Sequence, residues 1–413
     1  MPNKSFWSQN RYRVTLLFLL FFKFAGLATI SLKNRRTSKK KCSENLIFFT
    51  GSKLGVFYNL FFSCLIIASN FIFLPTIYDA DYAFMTIVTR IIEISQAVLG
   101  NLAIFSILLY YCINESTFVK IGNYLIHIED TLCRLQQPMN WKHISYVLFF
   151  VYLFNFGLFV SIFVTDIISF NNPVSSLGSI LPAIFVSFCF IQYFSVLSLT
   201  NAISTNINCA IQDLCRSKFS DITPDTLYET RHVFVSYSKI HLVVRIRQVH
   251  DQLCDIINEI SRFYSLPTLI GLSLISYTLL YNIYYLFEPI TVRNVGVDYM
   301  IITNTLLWVI SLLYSLGLLT SKATKVTNEI EKTGNLVHAL LNCTIDRQTK
   351  VELEQFSLQL LHRKIKFTVN QYFTLDNTLF QSILSTVTTY MVILMQFQVG
   401  TSVPDACHCN CTQ

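Results

Sequence analysis

The stretch Thr388-Thr389-Tyr390-Met391-Val392-Ile393-Leu394-Met395-Gln396-Phe397 closes the last membrane-length apolar run of the chain, and it carries a glutamine near its end. An amide placed in hydrocarbon costs several kcal/mol unless it finds a hydrogen-bond partner or water. We therefore expect Gln396 to face either an interface between helices or an aqueous path.

The composition of the whole chain places it in a membrane. Of its 413 residues, 53% are hydrophobic and only 13% are charged, whereas soluble domains carry about a quarter charged residues. Phe and Tyr occur 35 and 21 times, as membrane cores and interfacial aromatic belts use them. So much apolar surface cannot be buried in a water-soluble core, and we interpret the chain as an all-α, polytopic membrane protein.

Seven segments are long enough to cross the roughly 30 Å of hydrocarbon in a bilayer. These predicted spans are Leu54–Leu74, Ile87–Ile113, Ile144–Ile168, Leu177–Ile203, Phe263–Phe287, Tyr299–Thr320 and Leu379–Phe397. Two of the regions between them, Asp213–Arg262 and Glu352–Phe367, carry mixed charge with apolar residues at helical spacing. This pattern predicts cytoplasmic helices that extend the spans.

Lys and Arg are distributed very unevenly among the loops. Residues 1–53 hold eleven of the 31, and the loops after spans two, four and six hold three, seven and eight, whereas the other side holds only Arg90 and Arg293. Positively charged loops stay in the cytoplasm. We therefore expect the N-terminus inside and the C-terminus outside, and we attribute the net charge of +7 to topology rather than to nucleic-acid binding.

The apolar stretch Val14–Leu32 has Lys23 at its middle and basic residues on both flanks. A crossing would carry one basic block outside, so we interpret the stretch as an interfacial or re-entrant segment. The chain then divides into a cytoplasmic N-terminal region (1–53), a helical ligand-binding domain with cytoplasmic loops (54–378), and a last span with a short extracellular tail (379–413).

The sequence contains no pattern typical of an enzyme or a cofactor site. It lacks a Walker loop, a dinucleotide-binding glycine pattern, a His-Glu-x-x-His motif and a nucleophile elbow, so we expect neither catalysis nor a cofactor. Twelve cysteines are scattered, and only Cys407-His408-Cys409-Asn410-Cys411 form a cluster. Alternating ligands on one strand are too tightly spaced for tetrahedral zinc, so we expect no metal site.

Three stretches resemble the best-shared block of insect gustatory receptors: Phe356–Thr368, Leu375–Leu379, and Thr389-Tyr390 followed by five apolar residues and Gln396-Phe397. Seven spans with the N-terminus inside also match the insect chemoreceptor superfamily and are inverted relative to G-protein-coupled receptors. One stretch departs from the family pattern: many relatives have a small residue and a glycine at Val369-Asn370-Gln371-Tyr372.

The resemblance implies a ligand-gated, nonselective cation channel in the plasma membrane of gustatory neurons, embedded in membrane lipid. Four identical or related subunits would surround one path for monovalent and divalent cations, lined by the last helix of each. Thr389, Ile393 and Gln396 share a helix face, so Gln396 amides would contact hydrated cations and an apolar ring of Ile393 or Phe397 would gate by dewetting. Tyr390 lies on another face and is expected to pack against the cytoplasmic helices or a neighbouring span.

A pocket for the ligand is expected in the outer halves of spans two to six, where external solutes reach. The candidates are polar or aromatic: Glu93, Gln96, Asn155, Tyr277, Tyr281, Asn304 and Trp308. Glu93 is the sharpest of them because a carboxylate inside a span is rarely idle, although a salt bridge with Arg90 would also explain it. Asp166, near the end of span three, is interpreted as an interfacial residue.

The class of ligand stays open between a bitter compound and a sugar. With its apolar, aromatic outer half the chain resembles receptors for bitter, plant-derived compounds. A sugar needs several convergent polar groups around an aromatic face, which Asn304, Trp308, Glu93 and Gln96 would supply. A transporter is disfavoured because no internal repeat is visible. A non-conducting receptor subunit also fits the sequence, and in it Gln396 would bond across a helix interface and Phe397 would only pack.

Overall fold

A computed structural model describes residues 15–36, 45–78, 87–170, 173–219, 228–291, 299–342 and 347–401. Within these ranges the chain forms ten helices and two small antiparallel hairpins. The elements in chain order are α1 (Thr15–Phe24), β1 (Ile30–Arg36), β2 (Asn45–Gly51), α2 (Lys53–Tyr78), α3 (Ile87–Ile113), α4 (Glu115–Arg134), α5 (Trp141–Phe170), α6 (Pro173–Phe219), α7 (Tyr228–Thr291), α8 (Tyr299–Asn342), α9 (Arg347–His362), β3 (Thr368–Val369), β4 (Phe373–Thr374) and α10 (Asn377–Thr401).

Six of the seven predicted spans coincide with membrane-length apolar helices. In the described part of the chain, six helices (α2, α3, α5, α6, α7 and α8) are long and apolar enough to cross a membrane. The predicted seventh span lies within α10, whose 25 residues extend over about 37 Å. The all-α prediction is confirmed, and the two hairpins are an addition to it.

Three of the membrane-length helices are much longer than a bilayer is thick. Helices α6, α7 and α8 contain 47, 64 and 44 residues, which corresponds to about 70, 96 and 66 Å at 1.5 Å per residue. A hydrocarbon core of about 30 Å accounts for less than half of each. The predicted helical extensions of the spans are therefore present, and α4 and α9 pack against them.

The N-terminal apolar segment turns back after one short helix. Helix α1 has ten residues, about 15 Å and half of what a crossing needs. Gly26 follows it with a φ of +79°, which favours glycine, and its carbonyl accepts a hydrogen bond of 2.7 Å from Asn59 Nδ2. Lys23 Nζ lies 3.5 Å from the Ser31 and Ser52 hydroxyls. The level of this segment in the membrane stays a prediction.

The hairpin of β1 and β2 was not predicted. Its strands flank a run of basic residues, and no alternation of apolar and polar side chains is visible in this part of the sequence. Ile30 pairs with Gly51 and Arg36 with Asn45. On α4, the Asn123 side chain accepts from Phe49 N at 2.8 Å and donates to Phe49 O at 3.0 Å. A side-chain amide thus closes the edge of the strand that a third strand would otherwise pair with.

Helix α6 lies at the centre of the core and contacts α2, α3, α4, α5, α7 and α8. Its Gln192 accepts from the Tyr111 hydroxyl and donates to Leu27 O at 2.7 Å, which ties the N-terminal segment to the helical core. Tyr193 stacks on Tyr264 of α7 with ring centroids 4.4 Å apart. These contacts connect α6 with the N-terminal segment and with α7, against which the last helix packs.

Helix α9 is held against α7 by ion pairs. Arg363 lies 2.8 Å from an Asp251 carboxylate oxygen and 2.6 Å from one of Asp255, and Arg247 lies 3.1 Å from Glu352. These residues lie in α7, in α9 and, for Arg363, directly after α9, all outside the predicted spans. The arrangement fixes where the chain re-enters the membrane region.

The β3–β4 hairpin connects α9 to α10 and lies against α7. Thr368 N donates to Ser261 Oγ at 3.2 Å, and Asn370 N donates to Ser265 Oγ. Asn370 and Gln371 have φ values of +50° and +63°, the region where glycine is least strained. A glycine, which many relatives have in this stretch, would adopt this conformation without strain.

Candidate ligand cavity and pore helix

A cavity of about 80 Å³ opens between the ends of α2, α3, α5, α6, α7 and α8. Its lining is Ile77, Glu93, Gln96, Asp166, Ser176, Ser179, Tyr281, Asn282, Tyr285, Asn304, Thr305 and Trp308. Since a buried water needs only about 10–15 Å³ by the same measure, the cavity has room for several waters or a compact organic group. Most of its lining is polar or aromatic.

Helical spacing explains how so many side chains converge. Glu93 and Gln96 lie three residues apart on α3, and Tyr281 and Tyr285 four residues apart on α7, so each pair occupies one face of its helix. On α8 the same holds for Asn304 and Trp308, as predicted.

Two carboxylates face the cavity, and each accepts hydrogen bonds from neutral groups. The Tyr281 hydroxyl donates to Glu93 Oε1 at 3.0 Å. Asn304 Nδ2 donates to Asp166 Oδ1 at 2.7 Å, while Asn304 Oδ1 accepts from the Thr165 hydroxyl at 2.9 Å. The two hydrogen bonds, one at the nitrogen and one at the oxygen of its amide, hold the Asn304 side chain in one orientation beside Asp166.

Five of the seven predicted ligand residues come together here, namely Glu93, Gln96, Tyr281, Asn304 and Trp308. The other two lie elsewhere. Tyr277 contacts α3 through the Ser95 hydroxyl, and Asn155 is fully buried and donates to Ser187 Oγ at 2.8 Å.

Sequence reasoning did not include Asp166 among the ligand residues and interpreted it only as an interfacial residue. Only 6% of it is exposed, and it lines the cavity. A signal was available, because a carboxylate four residues before the end of α5 still lies within a membrane-length helix. Glu93 accepts from Tyr281, and the Arg90 guanidinium, which also attracts Glu93 electrostatically, lies over the Tyr78 ring at 5.5 Å.

Helix α10 is packed on one face and exposed on the opposite one. Leu379 and Val387 are buried, and α10 contacts α7 and α8. At 100° per residue, Gln381, Ser385, Thr389 and Gln396 fall within a sector of about 80° on the far side, which Val392 shares, and all four are exposed. We call these four residues the polar stripe.

Of the other predicted pore residues, Ile393 borders this stripe. Ile393 is 40% exposed, and the side chain of Phe397 lies outside the described residues. Tyr390 is 55% exposed, so the single chain does not supply the packing partner expected for it. The described residues offer the Gln396 amide no hydrogen-bond partner, whereas the Thr389 hydroxyl donates back to Ser385 O at 2.9 Å. The Cys407–Cys411 cluster also lies outside the described residues.

Comparison with known proteins matches residues 15–400 to the family model of the 7tm chemosensory receptors. Gustatory receptor 28a of Drosophila melanogaster is 23% identical over 422 residues, which cover 92% of this chain and 90% of that protein. The gustatory receptor for bitter taste 66a of the same species is 27% identical over 159 residues, covering 37% of this chain and 30% of that protein.

Among solved structures, the insect olfactory receptor OR5 from Machilis hrabei is similar with a TM-score of 0.57 and 14% identity, over 94% of this chain and 99% of that one. Its structure in complex with eugenol gives the same score and identity over 94% and 98%. These likenesses concern the fold. The family match covers nearly the whole chain, so the resemblance to insect gustatory receptors is confirmed, and the protein is a multi-pass membrane protein that belongs to the 7tm chemosensory receptor family.

Proposed function

We propose that the protein is a gustatory receptor that acts as a ligand-gated, nonselective cation channel, with the polar stripe of α10 facing the permeation path. The observation that carries the proposal is the polar stripe itself. A membrane-length helix that exposes two glutamines, a serine and a threonine on one side is poorly matched to lipid. Water, or the same helix of neighbouring subunits, solvates those groups better.

The arrangement of α10 supports an assembly around a central axis. The packed face is attached to α7 and α8 of its own chain, and the polar stripe points the opposite way. In four copies around one axis, identical or related, the stripes enclose a single path. Gln396 amides then present neutral dipoles to hydrated cations, and Ile393 and Phe397 provide an apolar constriction.

The same chain offers a separate place for a tastant. The cavity among α3, α5, α7 and α8 contains no residue of α10, so ligand binding and permeation are assigned to different elements. The neighbouring olfactory receptor structure holds the small organic molecule eugenol, and one relative is a receptor for bitter taste. Both support a small, bitter organic compound as the ligand. The receptor itself would lie in the plasma membrane of a gustatory neuron.

A sugar remains the second candidate, because the cavity lining is more polar than the sequence alone indicated. Amide and carboxylate groups of Gln96, Asn304, Glu93 and Asp166 surround the indole of Trp308. Such a lining also suits hydroxyl-rich ligands. A panel of sugars and bitter compounds, read by calcium influx in cells expressing the protein, separates the two.

Charge substitutions at Gln396 test the pore assignment. A fourfold ring of charge changes the local potential strongly, so Gln396→Glu should favour divalent entry or block, whereas Gln396→Lys should reduce cation current by roughly tenfold or more. Reversal potentials in sodium and calcium solutions measure this in cells that express the protein without an added G protein.

The matched control is Gln136→Glu and Gln136→Lys, which place the same charges on an exposed residue between α4 and α5. These control variants should leave selectivity as it is. Unchanged selectivity and current in both Gln396 variants, at wild-type surface levels, would move Gln396 from the pore to a packing interface.

A further inference from the structure

From the charges that face the outer cavity, we infer that the ligand carries a positively charged nitrogen, which Glu93 and Asp166 engage. The inference rests on the proposed function, because it takes this cavity as the tastant site. It narrows the ligand class from small organic molecules to protonated organic amines.

The first argument is charge. Of the residues that line the cavity, two are carboxylates and none is a lysine or arginine. The Glu93 carboxylate is repelled by Asp166 and attracted by Arg90, and the groups that hydrogen-bond the two carboxylates, Tyr281, Asn304 and Ser176, are neutral. Arg90 lies one turn from Glu93 but outside the lining. A pair of buried carboxylates is stabilised most by a cation placed between them.

The second argument is an amide without a partner. Gln96 is 9% exposed and lines the cavity. No other described residue hydrogen-bonds its side chain. The Gln96 amide lies on the cavity wall, where a ligand can complete its hydrogen bonds. Since its oxygen accepts from an N–H donor, it adds a third group suited to an ammonium.

The third argument concerns shape. Trp308, Tyr281 and Tyr285 line the same cavity, and aromatic faces attract cations within about 6 Å. With about 80 Å³, the cavity takes a compact head group rather than an extended chain. A neutral polyol would donate to both carboxylates but would leave their mutual repulsion in place, whereas an ammonium group removes it.

The cavity charge can be measured without knowing the tastant. A Gln96→Cys variant, in a background with Ser replacing Cys407, Cys409 and Cys411, is treated on intact cells with two methanethiosulfonates. One reagent carries a trimethylammonioethyl group and the other a sulfonatoethyl group. The ratio of their modification rates, divided by the same ratio for free 2-mercaptoethanol, reports the preference of the cavity for cations.

We expect a normalised ratio of roughly tenfold or more in favour of the cation, falling towards one when Glu93→Gln and Asp166→Asn are added. Asp213→Asn, which removes a carboxylate from the extension of α6, should leave the ratio high. A normalised ratio near one, or a high ratio that the double substitution leaves unchanged, overturns the inference. If Gln96→Cys does not reach the surface, Thr305→Cys on the opposite wall replaces it, and absence of modification at both also overturns it.

A matched ligand pair separates this inference from the proposed function. Phenethylamine is protonated at neutral pH, and 2-phenylethanol is a neutral molecule of nearly the same size. Each is tested for slowing modification of Gln96→Cys and for evoking current. Protection by the amine, at concentrations at least tenfold lower than by the alcohol, supports the inference even if no current flows. In that case only the proposed channel function fails. Equal protection by both contradicts the ligand class, whatever the current.

Discussion

Asp376 stands one residue before α10 and holds the first turn of that helix. Its Oδ1 accepts from the backbone N–H groups of Thr378 at 2.9 Å and Leu379 at 3.2 Å, and from the Thr378 hydroxyl. These are the bonds of a helix N-cap. Partial burial raises the pKa of Asp376, but hydrogen bonds from Thr378, Thr374 and Leu379 outweigh burial and hold the pKa below its ordinary value of 3.8.

Replacing this cap should therefore weaken the attachment of the last helix. We expect Asp376→Ala to lower the free energy of unfolding by about 1 kcal/mol, and Asp376→Asn to lose less because its carbonyl oxygen still accepts. Since the folded-state pKa is depressed, the carboxylate stabilises fully above pH 3.8 and loses its effect as the pH falls through the lower folded-state pKa.

Thermal unfolding of the purified protein between pH 3 and 6 measures this effect. The difference in stability between wild type and Asp376→Ala should shrink at the acidic end. Asp213→Asn provides the control, and a difference that is independent of pH would contradict the capping role.

At the residue scale, the sequence predicted correctly which residues meet where they share one face of a helix. The shared face of Asn304 and Trp308 follows from a spacing of four, and both line the cavity. Asn155 and Asp166 lie only eleven residues apart on α5, yet one is enclosed by Ser187 and the other faces the cavity. Depth along a helix and the choice of neighbouring helix depend on packing, which no local pattern encodes.

Close contact between α3 and α6 depends on one glycine. A Cβ added at Gly100 would lie 2.6 Å from two ring carbons of Pro182, and a proline ring has little freedom to move. Gly100→Ala should force the two helices apart at a cost of about 1–3 kcal/mol. Lower thermal stability and reduced surface level of the variant measure the cost.

Two other glycines provide matched controls for that change. Neither Gly157 in α5 nor Gly334 in α8 has an atom within 4 Å of an added Cβ. Alanine at these positions should be neutral or stabilising by up to about 1 kcal/mol, because alanine favours helix. If Gly100→Ala behaves like the controls, the α3–α6 contact is more compliant than its geometry indicates.

At the element scale, long apolar runs were predictable and short strands were not. The spans follow from hydrophobic length alone, and mixed-charge periodicity indicated the extensions of α6 and α7. The β1–β2 hairpin depends instead on contacts with a distant helix, through Asn123 and Phe49. The turn at Asn370 and Gln371 similarly depends on the serine hydroxyls of α7.

At the scale of the whole molecule, the outer surface of the bundle matches a lipid environment on one side and a polar one on another. Helix α5 exposes large apolar side chains, including Phe149, Phe150, Leu153 and Phe156, as lipid-facing helices do. Helix α10 exposes the polar stripe instead. This asymmetry supports the proposed assembly, in which α5 would face lipid and α10 the central axis.

The orientation of the chain in the membrane is the property that charge predicts most directly. Twenty-nine of the 31 Lys and Arg residues lie in the N-terminal region and the loops after spans two, four and six, so these regions should be cytoplasmic. An epitope tag at the C-terminus should be stained on intact cells, and one at the N-terminus only after permeabilisation.

The result also decides whether the outer cavity faces external solutes, because α3, α5 and α8 contribute to it from the ends opposite the basic loops. Staining of the N-terminal tag on intact cells would reverse the topology, and the cavity would then open towards the cytoplasm.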